Sequence, residues 1–282
     1  MTGRRRPSLL VILASIVGGM TILYPFLLPL MGQQDRLAQR GVEVPLLFAV
    51  LSGICLLTIL VQIQQSSSGP GASESKLVAL LGVLVATDAA LRLIPTVLGA
   101  SPIFLLIILT GFAYGADFGF LMGALTLLVS AFITGGIGPW LPFQMLCAGW
   151  IGLTAGILPR SGVKREIAML ALFGAVWGFL FGAVMNLWEW PFAAPGLQEQ
   201  VGLYWAPGMS LWQTIHTYAH YYLVTSLVYD LFRAVANVAL VLLLAHPVLM
   251  LLDRFCERFS WQPWTPYETS TSASAGPVSS DG

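Results

Sequence analysis

The chain has 282 residues, of which 57% are apolar and only 9% charged. A soluble domain carries about 25% charged residues, so this chain cannot cover a water-facing surface and must take lipid as its solvent. Thirteen basic and thirteen acidic residues leave a formal net charge of zero, which argues against nucleic acid as a partner.

The amino end reads Arg4-Arg5-Arg6 and then an apolar run over 7–31. That run is too long for a secretion-signal core and no Ala-x-Ala site follows it, so it is expected to be a retained anchor helix. A second apolar run covers 44–63. A stretch rich in Ser, Gly and Gln follows, with the composition of a flexible linker. The next spans are expected at 77–97, 103–116, 118–133, 140–158, 167–187 and 223–252, each read against the roughly 20 residues a bilayer crossing needs. Those at 103–116 and 118–133 are short and are separated only around Gly115-Ala116-Asp117. They read as a tight helical hairpin, with Asp117 as a helix cap. Between 188 and 222 the chain is aromatic and polar, and reads as a wet segment outside the membrane. The end of the chain is rich in Ser, Thr, Pro and Gly, a composition that does not fold.

The expected fold is therefore an all-α polytopic membrane helical bundle of eight spans. Its parts are a two-helix membrane segment (1–64), a flexible linker (65–75), a six-helix core (76–260) and a disordered tail (261–282). Basic residues set the orientation. With the amino end inside, the inner segments hold Arg4, Arg5, Arg6, Lys76, Arg160, Lys164, Arg165, Arg254 and Arg258, and the outer ones only Arg36 and Arg40. Both termini are thus expected in the cytoplasm of a multi-pass protein of the inner (plasma) membrane. Cys55, Cys147 and Cys256 lie far apart without CxxC spacing, which suggests neither a disulfide framework nor a zinc site. No Walker A loop, dinucleotide-binding glycine fingerprint or HExxH motif occurs, so no ATPase, cofactor or metal is expected in the chain.

Ionisable groups at membrane depth are costly and tend to be paired or functional. Asp88 and Arg92 are four apart, and Asp230 and Arg233 three apart, so each couple can pair on one helix face. Asn237 follows one turn later. Such pairs either pin helices together or line a cavity. Gly82, Ala86 and Ala90 make a flat stripe of small residues where another helix can approach closely, either a neighbour in the same chain or a separate membrane subunit. His216 and His220, at helical spacing, sit among Trp188, Trp190, Tyr204, Trp205, Trp212, Tyr218, Tyr221 and Tyr222. An interfacial belt accounts for part of this cluster. A pocket for a large, partly planar ligand accounts for the whole of it. No nucleophile–base–orienter set is evident, so no catalytic residue is named.

Several strings resemble a known family. They are LRLIP (91–95), LTGFAYGADFGFLMGAL (109–125), GPWLPFQM (138–145), GWIGLTAG (149–156) and DLFRAVANV (230–238). In order and spacing they are similar to the substrate-binding S component of energy-coupling factor (ECF) vitamin transporters, over about two thirds of the chain. The resemblance implies a six-helix, non-enzymatic subunit that captures a vitamin from outside and delivers it through a transmembrane coupling subunit and two ATPases. It implies docking through an Ala-x-x-x-Ala stripe, here Gly82, Ala86 and Ala90, with glycine as a departure. The pattern is most similar to the cobalamin-type group, which makes Trp140, Gln144, Asn186, Trp188, His216 and Tyr222 the expected substrate-binding residues. The first two spans fall outside the family core. The alternatives are a membrane enzyme acting on a lipid-linked substrate through His216 and His220, and a scaffold subunit without a ligand.

Overall fold

The computed structural model describes residues 7–31, 53, 72–94, 98–190, 202–205 and 209–259. Apart from Gly53, the expected span at 44–63 lies outside the described residues, as do linker positions 65–71 and the tail at 261–282. Among the described residues the regular structure is all helical: α1 (Leu9–Met31), α2 (Ala72–Leu91), α3 (Ile103–Tyr114), α4 (Ala116–Thr134), α5 (Leu141–Ala155), α6 (Val163–Glu189), α7 (Leu211–Thr225) and α8 (Leu227–Phe259). Helix α2 opens at Ala72, within the stretch expected as linker. By length and apolar composition α4, α6 and α8 can each cross a membrane.

Helices α3 and α5 have 12 and 15 residues. At 1.5 Å per residue they reach about 18 and 22 Å, short of a hydrocarbon core of about 30 Å. The 103–116 run is short as expected, whereas the 140–158 run, expected as a span, is shorter than a crossing needs. Both are central: Ile107, Ile108 and Leu109 of α3 and Met145, Leu146 and Ile151 of α5 are fully enclosed, in one core with Phe120 and Met122 of α4. A short helix can sit at membrane depth because its neighbours, rather than lipid, cover its ends.

Glycines make this packing possible. Gly115 alone separates α3 from α4, with φ of 101°, a backbone conformation that side chains disfavour. Gly111 and Gly119 then face each other across the hairpin, and Gly152 of α5 packs onto both, so a Cβ at any of the three would run into backbone. Gly123 meets the Ala148 backbone in the same way, and Gly156 meets Ala116. The glycine-rich strings are thus the contact lines of three helices whose backbones touch.

The hairpin expected around residues 115–117 is present, but Asp117 does not cap its own helix. Its carboxylate accepts the Ser8 backbone N–H at 2.9 Å, and so holds the start of α1. The wet segment expected at 188–222 contains α7. Ser210 and Gln213 close a capping box at its start: the Ser210 hydroxyl accepts the Gln213 N–H (3.3 Å) and the Gln213 side chain accepts the Ser210 N–H (2.9 Å). The last span begins at Leu227 rather than 223 and runs to Phe259, with the break at Ser226.

Candidate functional site

The two ends of the bundle differ. At one end the Tyr114 hydroxyl donates to the Leu252 carbonyl (2.9 Å), Arg160 pairs with Asp253 (3.3 Å), and the Arg160 guanidinium lies 4.4 Å from the centre of the Phe112 ring. This is also the end where Asp117 holds Ser8. The opposite end is aromatic. Trp188, near the end of α6, is buried and stacks on Phe143 of α5, with ring centres 5.2 Å apart and planes 6° from parallel. Ile22 of α1 and Leu187 complete that cluster. Trp190 meets Tyr218 edge-on at 5.3 Å and donates its indole N–H to the Leu203 carbonyl (2.9 Å). Tyr204 and Tyr221 pack beside it at 5.8 Å.

Polar groups thread the junction of α6, α7 and α8 below this cap. Asn186 donates to the Ser226 hydroxyl, Tyr218 donates to the Ala183 carbonyl, and the Tyr222 hydroxyl donates to Asp230 at 2.8 Å. Asp230 is buried and ion-paired with Arg233. Arg233 also donates to the Gly178 carbonyl (3.1 Å), and its guanidinium stands 5.2 Å from the centre of the Phe181 ring. Asn237 donates to the Gly174 carbonyl at 2.9 Å. These side chains fit because α6 presents Gly174, Gly178 and Gly182 to them. A Cβ at Gly182 would occupy the place of the Asp230 carboxylate, and one at Gly178 would run into the Ala234 backbone.

Of the expected ligand residues, Asn186 and Tyr222 lie at this junction and Trp188 in the aromatic cluster above it. Gln144 follows Phe143 on α5 and is half-buried. Trp140 and His216 stand on the surface, outside the buried ring stack. Trp140 donates its indole N–H to Gly136 (3.1 Å), and His216 faces His220 with ring centres 6.0 Å apart. Phe143 as the partner of Trp188 and the glycine face of α6 are not among the features expected from the sequence. The four-residue recurrence of Gly174, Gly178 and Gly182 was the available signal.

The second acid–arginine couple departs from expectation: Asp88 and Arg92 do not pair. Asp88 is fully buried and accepts from Thr126 (3.0 Å), while Arg92 donates to Ser130 (2.8 Å). Both partners lie on α4, one turn apart, so each polar group is met across the helix contact rather than along α2. The opposite face of α2 carries Gly82, Ala86 and Ala90, all exposed. Internal packing of that stripe was one of its two expected uses. A Cβ at Gly82 would meet nothing within 4 Å, so no described element covers the stripe there. Gly82 and Ala86 line a groove of about 260 Å³ with Val78, Leu81, Val85, Leu125 and Val129.

These features define a multi-spanning helical membrane protein with an aromatic-capped polar junction at one end and an open small-residue groove along one side. A sequence model of the ECF transporter substrate-specific component matches residues 76–245, more than half of the chain, and the chain belongs to that family. No curated protein and no solved structure matches it. Family members are the substrate-binding subunits of importers. They work with a transmembrane coupling subunit and ATPases, and bind a small-molecule substrate. The chain is accordingly a multi-pass protein of the inner membrane.

Proposed function

We propose that this subunit captures a vitamin on the extracytoplasmic side, with cobalamin the first candidate, and passes it to a coupling subunit driven by two ATPases. The observation that carries this reading is the concentration of aromatic and polar side chains at one end of the bundle: the Phe143–Trp188 stack, the Trp190–Tyr218 pair, and the Asn186–Ser226 and Tyr222–Asp230 hydrogen bonds. Flat aromatic faces beside a few hydrogen-bonding groups suit a large ligand with a conjugated ring system. In this reading the exposed Trp140 and His216 are further contacts for the ligand. In this orientation both termini are cytoplasmic, and Arg160, Lys164, Arg165 and Arg254 lie on the inner side, as the basic-residue bias requires.

The exposed stripe of Gly82, Ala86 and Ala90 is the proposed docking face for the coupling subunit. Small residues let a partner helix approach closely, and the groove beside them offers an apolar seat. The 76–260 unit is the substrate-binding core in this reading, with α2 beginning four residues before it at Ala72.

The test is binding by the purified full-length chain without ATP, against a panel of vitamins and corrinoids, followed by uptake in cells. Cyanocobalamin should bind, and Trp188→Ala should weaken binding by roughly tenfold or more, the scale of losing one well-placed aromatic anchor. Ala86→Trp should abolish uptake and leave binding intact. If nothing on the panel binds, vitamin capture is wrong. If Ala86→Trp destroys binding as well, the docking assignment is wrong.

A further inference from the structure

We infer that α1 is a working part of the substrate site, bracing the Phe143–Trp188 stack through Ile22, although the family match begins only at residue 76. This rests on the reading above that the stack belongs to the ligand seat.

Helix α1 is one-sided. Val11, Ala14, Gly18 and Ile22 recur every three or four residues and are buried, while Leu9, Leu13, Ile16, Met20 and Leu23 are exposed. A simple anchor needs only the exposed face. The buried face is fitted at three heights. At its start, the Ser8 N–H is held by Asp117, 109 residues away in the chain. In its middle, Gly18 lies so close to α5 that a Cβ there would stand 2.5 Å from the Leu146 side chain. Near the aromatic end, Ile22 is 2% exposed and packs with Phe143, Leu187 and Trp188. The helix is therefore clamped at one end, seated on α5 at mid-height, and pressed against the two stacked rings at the other.

The consequence is a positioning role. Phe143 and Trp188 come from different helices and stand 6° from parallel, and Ile22 of α1 is buried in the same cluster. A ligand seat loosened by about 1 Å loses much of its affinity. Removing the Ile22 side chain should therefore degrade the site before it degrades the fold.

The test is hydroxyl-radical footprinting of the purified full-length protein, read by mass spectrometry at Trp188 and Phe143. This needs no ligand. Ile22→Ala should raise labelling at both rings about threefold, as local opening exposes them. Leu13→Ala, on the exposed face, should change neither. Gly18→Leu should act like Ile22→Ala by levering α1 off Leu146. Unchanged labelling in Ile22→Ala, or an equal rise in Leu13→Ala, overturns the inference. In parallel, cyanocobalamin should bind Ile22→Ala roughly tenfold more weakly than the wild type. Unchanged affinity alongside raised labelling also overturns the positioning role. If the wild type binds no vitamin, the proposed function fails and the place of α1 in a vitamin seat fails with it, while raised labelling in Ile22→Ala still shows that α1 covers the stack.

Discussion

Two acid–arginine couples occur in this chain, one on α8 and one straddling the end of α2, and they end differently. Asp230 and Arg233 pair with each other, whereas Asp88 and Arg92 do not. Asp230 and Arg233 both lie on α8, where i,i+3 spacing brings side chains together, whereas Arg92 sits in the turn one residue past the end of α2. The facing helices supply the partners. Across from α2, Thr126 and Ser130 of α4 are four residues apart and in register with Asp88 and Arg92, so each group finds its own hydroxyl. Across from α8, Gly174, Gly178 and Gly182 of α6 offer backbone carbonyls and no side chains. A carboxylate there finds no donor on α6, and turns to Arg233 and Tyr222. Where water is scarce, polar groups take whatever partner the opposing surface provides.

The largest expected effect tests that difference directly. Arg233→Ala leaves Asp230 buried against glycines with only the Tyr222 hydroxyl, and breaking a buried pair from one side costs about 3–5 kcal/mol. Unfolding in detergent should show that loss. The double change Asp230→Asn with Arg233→Gln should cost clearly less, because no charge is stranded. If Arg92→Ala proves as damaging as Arg233→Ala, the contrast between the two couples collapses.

Next in size is the glycine face itself. Gly182→Ala forces a methyl into the place of the Asp230 carboxylate, and overpacking of this kind costs about 1–3 kcal/mol. Gly174→Ala should be milder, since its methyl would stand 3.3 Å from the Asn237 Cβ, which a small helix shift can relieve. The order of the two unfolding midpoints checks this. A reversed order would show that the seam is set by the Asn237 end rather than by the ion pair.

A double-mutant cycle sharpens the comparison further. Coupling between Asp230 and Arg233 should reach about 1–3 kcal/mol, and coupling between Asp88 and Arg92 should stay within about 0.5 kcal/mol. Asp88 should instead couple to Thr126, and Arg92 to Ser130. Strong coupling along α2 would mean that the two hydroxyls of α4 are bystanders.

These partner choices mark the limit of what the sequence makes legible. The α3–α4 hairpin could be read because Gly115 sits between two apolar runs, and the glycine strings around it have a local cause in close helix contact. The pairing of Asp88 could not be read, because four-residue spacing looks the same whether the partner lies along the helix or across it. Asp117 looked like a local cap because its true partner, Ser8, is 109 residues away. Helix α7 was hidden by its composition: Trp, Tyr and His suggested a wet belt, although Ser210 and Gln213 carried the capping-box spacing that opens it. The candidate site was half legible. Aromatic and polar residues near helix ends pointed to Asn186, Trp188 and Tyr222. Nothing local distinguishes the buried Trp188 from the exposed Trp140, because burial depends on Phe143 and Ile22, which come from other helices.

The smallest expected effect belongs to the other face of α2. Asp88, Ala89, Val85 and Leu81 are buried, while Gly82, Ala86 and Ala90 are exposed. A methyl at position 82 would meet nothing within 4 Å. Alanine is the better helix former by about 1 kcal/mol or less, so Gly82→Ala should leave the unfolding midpoint unchanged or slightly raised. That outcome is opposite in sign to Gly182→Ala, although both place one methyl on a helical glycine. The difference is the neighbour: open space for Gly82, a carboxylate for Gly182. A fall in the midpoint for Gly82→Ala would mean that the stripe is covered from within the chain, and would withdraw it as a docking face. An unchanged midpoint combined with lost uptake in Ala86→Trp would locate the cost of bulk at position 86 in the assembled transporter rather than in this subunit.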